Sequence, residues 1–176
     1  FYSRTLKRLI KRLDRDSCWQ VALAVTPASK ARRGGLWTRG LPTLAQAQGD
    51  LGIRMQAAID AMPTGPVVLV GSDVPSLKAR HIALAFRALE KQDVVFGPSD
   101  DGGYWLIGVA AQSRETRLFG PVRWSSPHAL EDTMAGLPGD CRVGQLEALS
   151  DIDTADDWRR WRSSAKPGYG DGEREG

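Results

Sequence analysis

The spacing of apolar residues changes period along the chain, and the changes divide it into elements. From Tyr2 to Arg15, Leu6, Leu9, Ile10 and Leu13 recur at i, i+3, i+4 and i+7, which predicts an amphipathic helix. Its other face carries Arg4, Lys7, Lys11 and Arg15, with Arg8 and Arg12 beside them. A face of this kind can bind an anionic surface, but is more often simply solvated. Trp19–Val25 is a short apolar run that predicts a buried strand, and 26–42 reads as a loop holding Lys30, Arg32, Arg33 and Arg39. Asp50–Met62 predicts a helix with Leu51, Met55, Ile59 and Met62 on one face. Val67–Val70 (VVLV) follows Gly65-Pro66 and has the look of a strand buried on both faces of a parallel sheet. Next come a helix over Lys78–Glu90, a strand over Asp93–Phe96, a turn over Gly97–Gly103 and a strand over Tyr104–Val109. A helix is predicted over Pro127–Ala135 with Ser125 or Ser126 as N-cap, then an extended stretch over Arg142–Leu149. Thr154–Arg162 predicts a last helix, capped by Asp153 or Thr154 with Asp156 and Asp157 in its first turn.

Strands alternating with helices predict an α/β fold around a mainly parallel sheet. At 176 residues the chain reads as one domain, 1–162, with Ser163–Gly176 as a flexible polar tail. No apolar run approaches the roughly 18–20 residues that span a bilayer, so no membrane span is expected. The net charge of +3 is too small to predict nucleic-acid binding, and no specific nucleic-acid partner is expected. Two cysteines, Cys18 and Cys141, and two histidines, His81 and His128, offer neither a disulfide framework nor a regular zinc site. Together these features predict a protein of the reducing cytoplasm.

Four segments carry candidate chemistry. In VVLVGSDVP a buried strand runs into Gly71, Ser72 and Asp73; ligands of open α/β sheets bind beyond such strand ends, although Asp73 could instead cap the next helix. In GPSDDGGYWLIG, Asp100 and Asp101 precede Gly102, Gly103, Tyr104 and Trp105; the carboxylates could hold sugar hydroxyls, act as a base or orient a metal-bound water, or the segment is only a tight turn. In SDIDTADDW, Asp151 and Asp153 alternate with Ile152 and face one side of an extended chain. Hard divalent cations take carboxylate oxygens, so Asp73 and Asp153 form a candidate metal pair. In QGDLGIRM, Gly49 and Gly52 flank a helix start that could hold phosphate, with Arg54 pairing a phosphate or Asp50; a plain N-cap at Asp50 is the alternative. Walker, G-x-S-x-G and H-E-x-x-H motifs do not occur. Carboxylate-bearing glycine turns without those motifs suggest metal-assisted handling of a phosphorylated ligand.

The order QGDLGxRM, VxLxGSDxP, DVVxGPxxDGGYxLIG, W-S and DIDTxxDW resembles the bacterial DUF2064 family, also described as glycosyltransferase A-like, from about Phe1 to Trp158. That family is similar to the molybdenum-cofactor nucleotidyltransferases and the phospholactate guanylyltransferases. The resemblance implies a three-layer, Rossmann-like GT-A (nucleotide-diphospho-sugar transferase) fold, with a mixed, mainly parallel sheet and helices on both faces. It implies that Asp73 is the metal- and nucleotide-side aspartate, that Asp153 with Asp151 is the second acidic position, and that Gly49, Asp50, Gly52, Arg54, Gly71 and Ser72 lie on the nucleotide side. It places Asp101, Gly102, Gly103 and Tyr104 at the sugar or acceptor, and Trp124 and Ser125 in a flexible segment on the acceptor side.

Two departures stand out. Family members usually begin with a strand and a P-x-x-G-x-x-K-T-R-L loop that holds phosphates, and nothing here matches either; Ile53 replaces a commonly acidic residue. Without that strand the first helix is expected to leave its apolar face bare, which invites a homodimer. The resulting expectation is a metal-dependent glycosyltransferase. Mg²⁺ or Mn²⁺ would be held by Asp73, Asp151 and Asp153, Asp101 and Asp73 would be catalytic, and the substrates would be a nucleotide-sugar donor and a hydroxyl acceptor. A nucleotidyltransferase releasing pyrophosphate from an NTP, and a degenerate non-catalytic nucleotide-binding relative, are the alternatives.

Overall fold

A computed structural model of the chain describes residues 2–27, 29 and 40–149. The expected last helix, the polar tail, Asp151 and Asp153, and the basic loop residues Lys30, Arg32, Arg33 and Arg39 lie outside the described residues.

The periodicities become helices α1 (Tyr2–Leu13), α2 (Leu51–Asp60), α3 (Ala79–Leu89) and α4 (Ala129–Ala135). The strands are β1 (Leu23–Val25), β2 (Thr43–Ala45), β3 (Val67–Val70), β4 (Val94–Pro98), β5 (Tyr104–Val109) and β6 (Val143–Gln145). β1 and β2 pair in parallel as a separate two-stranded sheet. The other four strands form one mixed sheet in the order β3-β5-β4-β6. β5 runs antiparallel to both neighbours, and β4 and β6 are parallel, so β3, β4 and β6 share a direction.

Helices cover both faces of this sheet. Val95, Trp105 and Leu106 point to one face, where Leu9 and Leu13 of α1 and Ile82, Ala85 and Leu89 of α3 fill the core. Val94, Phe96, Ile107 and Val109 point to the other, against Ile59 of α2 and the partly buried Leu130 and Met134 of α4. Alternation along β4 thus feeds two cores, and Val94, Val95 and Phe96 are all 0% exposed.

Two expectations are corrected. Val67–Val70 is not a fully buried strand among parallel neighbours: its side chains pack against both cores but are all half-buried, and β3 pairs only with β5, antiparallel, among the described residues. The full burial expected there belongs to β4, which is paired on both sides. Nor is the apolar face of α1 bare. Leu9, Ile10 and Leu13 are buried, Arg12 donates from its guanidinium to the Leu77 carbonyl, and Trp19 Nε1 donates to the Leu13 carbonyl at 2.9 Å. The ground for a homodimer through that face is therefore gone. No helix among the described residues is long and apolar enough to cross a membrane.

Candidate functional site

Because β3, β4 and β6 run the same way, their carboxyl ends lie on one edge of the sheet, where β5 begins. The turn after β3 carries Gly71, Ser72 and Asp73, and the turn between β4 and β5 carries Asp100, Asp101, Gly102 and Gly103. The two turns flank β5, so the strands bearing them are two sheet spacings apart, about 9–10 Å. Gly71 N–H donates to the Trp105 carbonyl at 2.9 Å and ties the first turn to the start of β5. A bulge between Gly97 and Pro98 re-aims the second turn as it leaves β4. Leu149 bridges in parallel to Ser99, so the chain after β6 reaches this edge from the β4 side at Leu149.

Asp73 does not cap α3. The N-cap is Lys78, whose N–H donates to His81 Nδ1 at 3.1 Å, while Asp73 is exposed five residues earlier. Its carboxylate folds back over Gly71, where a Cβ would come within 2.7 Å of Asp73 Oδ1. Gly71 therefore makes room for the carboxylate. Asp101 is also exposed; its Oδ1 accepts from Gly103 N–H at 2.9 Å, which braces the turn and leaves Oδ2 without a partner among the described residues. Asp101 thus both braces the turn and presents an oxygen.

Gly102 has φ +86°, and a Cβ there would lie 2.2 Å from the Pro127 carbonyl oxygen. Its own carbonyl accepts from Leu130 N–H at 3.1 Å. These contacts seat the 121–128 segment against the aspartate turn. The same segment reaches α2 through Trp124, whose Cζ2 would lie 2.8 Å from a Cβ on the buried Gly52. Its ring centroid lies 6.1 Å from that of Phe119. Ser125 sits between these anchors at φ +56°, a conformation that a non-glycine residue holds only when its surroundings enforce it. The enforcing contacts are visible: Arg123 donates to Asp132 from Nε, Nη2 and its backbone N at 2.7–2.9 Å, and Ser126 Oγ donates to the Arg123 carbonyl at 2.6 Å. The segment expected to be flexible is thus pinned at both ends.

Asp50 is the N-cap of α2, its Oδ1 accepting from Ile53 N–H at 2.9 Å. A carboxylate therefore already occupies the helix start at which phosphate binding was expected. Arg54 turns to the Asp50 carbonyl (3.3 Å) and Gln46 Oε1 (3.5 Å) rather than to the Asp50 carboxylate. Gly49, exposed with φ +129°, packs against Ile53. The Tyr104 hydroxyl lies 3.4 Å from Thr133 Oγ1. Because Thr133 donates to the Ala129 carbonyl, Tyr104 is the donor of this pair. Burial pushes the Tyr104 phenol up to about 12, and its ring packs edge-on to Phe96 at 5.2 Å. Tyr104 thus supports the turn from behind.

The structure brings Asp73 with Gly71, Asp101 with Gly103, and Gly52 with Trp124 into contact, and links Gly102 to the Ser125 segment through Pro127. Phe119, Pro127, the Arg123–Asp132 pair and Thr133 support the site without having been singled out from the sequence. Arg123 and Asp132 stand nine positions apart, a spacing that carries no local signal. Among the described residues no group of three metal-ligating side chains forms. The oxygen of Asp73 fits a cation of the magnesium class, which takes one or two carboxylates and completes its shell with waters and substrate phosphates.

Residues 9–126 match the family described as uncharacterized protein conserved in bacteria (DUF2064). Over 96% of the chain, the fold is similar to 76% of a protein from Desulfovibrio desulfuricans G20, at 26% identity and a TM-score of 0.80. That protein is provisionally described as a nucleotide-diphospho-sugar transferase. Rv0371c from Mycobacterium tuberculosis H37Rv shares the fold at 17% identity and a TM-score of 0.59, over 92% of this chain and 84% of that one. Its homologue from Mycobacterium sp. strain JC1 does so at 17% and 0.59, over 91% and 82%. No curated protein matches the chain.

Proposed function

This chain belongs to the DUF2064 family, and from that premise we propose that it is a glycosyltransferase that takes a nucleotide-diphosphate sugar with Mg²⁺ or Mn²⁺. The observation that carries the reading is the similarity, over nearly the whole chain, to the Desulfovibrio protein provisionally described as a nucleotide-diphospho-sugar transferase. The carboxyl edge of the sheet supplies what such chemistry needs. Asp73 would hold the metal, with Asp151 and Asp153 as further oxygen ligands. The metal, when bound, neutralises charge on the leaving nucleoside diphosphate. Ser72 and Gly71 present backbone to the nucleotide beside Asp73. Asp101, with Oδ1 committed to Gly103, would use Oδ2 to orient the acceptor hydroxyl and take its proton, a role contributing roughly 10²–10⁴-fold. Trp124 and Ser125 would wall the acceptor side, held there by Gly52 and Pro127.

The test is thermal unfolding with nucleotide sugars, with and without Mn²⁺. A ligand at 100 times its Kd adds about 2.7 kcal/mol, a rise of roughly 5–10 °C for a domain of this size. A Mn²⁺-dependent rise with one nucleotide sugar, lost in Asp73→Asn, is the expected result. A rise with NTPs alone would move the reading to pyrophosphate-releasing nucleotidyl transfer. No rise with either class would overturn it.

A further inference from the structure

Helices α1 and α3 cover the face of the sheet to which Val95, Trp105 and Leu106 point, and their outer surface is one-sided in charge. α1 exposes Lys7, Arg8, Lys11 and Arg12, and α3 exposes Arg80 and Arg87; the described side chains of these two helices include no carboxylate. On the opposite layer, α2 and α4 carry Arg54 against Asp60, Glu131 and Asp132. The carboxylates nearest the basic layer, Asp14, Asp16, Glu90 and Glu147, lie beyond the helix ends, where Arg15, Lys78 and Lys91 offset most of their charge.

The two basic stripes are neighbours. Leu9 and Leu13 of α1 share one core with Ile82, Ala85 and Leu89 of α3, so the opposite sides of both helices face solvent. Arg12 reaches across to the Leu77 carbonyl, and the charges of Arg12 and Arg80 both act on His81.

Helix stability does not favour this arrangement. Lys7 and Lys11, like Arg8 and Arg12, stand four apart, the spacing at which like charges repel and a carboxylate would stabilise the helix. A face that was only solvated would gain from mixed signs. Cations held against one another are complementary to a surface of negative charge. α3 adds a second cue: Leu84, 46% exposed, stands four residues after Arg80 and three before Arg87. An apolar side chain among cations fits a surface whose anionic headgroups overlie acyl chains. It offers nothing to a phosphate backbone, and the exposed, described side chains of both helices include no aromatic ring on which a base could stack. The apolar sides of α1 and α3 are already buried in the core, so contact is by adsorption of the basic face.

We propose that the α1–α3 face docks the protein on a membrane surface rich in anionic lipid, with Leu84 at the headgroup boundary. Docking of this kind is independent of the transferase reading and involves neither the Asp73 turn nor a nucleotide.

Sedimentation of the full chain with sucrose-loaded vesicles tests it, comparing phosphatidylcholine alone with phosphatidylcholine holding about one-third phosphatidylserine. The expected result is binding to the anionic vesicles only, weakening as salt rises and screens the charges. Each cation near such a surface contributes about fivefold. Lys7→Gln combined with Lys11→Gln therefore weakens binding about 25-fold, and Arg87→Gln about fivefold. Arg117→Gln makes the same change of net charge on the opposite side, beside Gln56 and Asp60, and leaves binding unchanged. Circular dichroism confirms that each variant is folded. Leu84→Ser weakens vesicle binding severalfold; unchanged binding would overturn the contact assigned to Leu84. The proposal as a whole is overturned if neutral and anionic vesicles bind alike or not at all, if the Lys7 and Lys11 changes have no effect, or if Arg117→Gln weakens binding as much as Arg87→Gln. Binding of short duplex DNA through Lys7 and Lys11, with the vesicles ignored, would also overturn it and assign the face to nucleic acid.

Discussion

Gly52→Ala separates two effects of opposite sign. Replacing glycine within a helix gains up to about 1 kcal/mol of propensity, and the gain is smaller at the second position of α2. Against it, the new Cβ would sit 2.8 Å from Trp124 Cζ2 and 2.9 Å from Phe119 Cβ, with the site already buried. Carbon atoms prefer roughly 3.5–4.0 Å. Phe119 Cβ is bonded to the main chain and cannot swing away, so the Trp124 ring must tilt or α2 must shift. Overpacking of this kind costs about 1–3 kcal/mol. The net expectation is a loss of about 1–2 kcal/mol, or a fall in Tm of roughly 2–8 °C. Urea unfolding reads the midpoint, and because the chain has six tryptophans, the indole N–H signal of Trp124, assigned by NMR, reads its altered surroundings. Gly139→Ala is the control: a Cβ there meets nothing within 4 Å, and its expected change is within about 0.5 kcal/mol. A Gly52→Ala protein as stable as wild type, with an unchanged Trp124 indole signal, would refute the Trp124–Gly52 contact and with it the wall assigned to the acceptor side.

Three further outcomes are expected. Gly71→Ala puts a Cβ 2.7 Å from Asp73 Oδ1, so the exposed carboxylate must turn aside; it should weaken the Mn²⁺-dependent thermal shift that Asp73→Asn abolishes, and an intact shift would show that this carboxylate position is dispensable. Tyr104→Phe removes one hydrogen bond to Thr133, costing about 0.5–1.5 kcal/mol in urea unfolding. It should leave nucleotide-sugar affinity unchanged, whereas a loss of affinity at full stability would put the hydroxyl at the ligand. Burial pushes His81 below its ordinary value, with the Glu147 carboxylate 3.1 Å from Nε2 opposing the shift and Arg80, Lys78 and Arg12 reinforcing it. A histidine so depressed binds fewer protons folded than unfolded, so its contribution to stability is present above about pH 6.5 and lost as the pH falls through the folded value. Ring signals of His81 titrating at or above about 6.5 in NMR would contradict this.

Most of the elements were legible from period alone. Val67–Val70 and Tyr104–Val109 are strands with the bounds their apolar runs predict, and α1, α2 and α3 end within two residues of prediction. β2 went unread, because Thr43–Ala45 is three residues long and carries one large apolar side chain. Its strand character comes from pairing with β1. The candidate turns were legible because glycines beside carboxylates at strand ends are a local signal. Their partners were not, since neither Pro127 over Gly102 nor Trp124 over Gly52 has a sequence spacing that predicts the contact.

Local chemistry written along the chain therefore determined the element types, the α/β class, the aspartate-bearing turns and, through the motif order, the family. Tertiary structure alone decided which strand is buried. VVLV looks the most buried run in the sequence, yet β3 has one neighbour among the described residues and β4 has two, and burial is a property of neighbours. It also decided the roles of the polar groups. A carboxylate at a helix start reads equally as cap or ligand until its distance to Ile53 N–H is known. The pairing of Arg123 with Asp132 depends on how α4 folds back beside the segment that precedes it, which no residue spacing encodes.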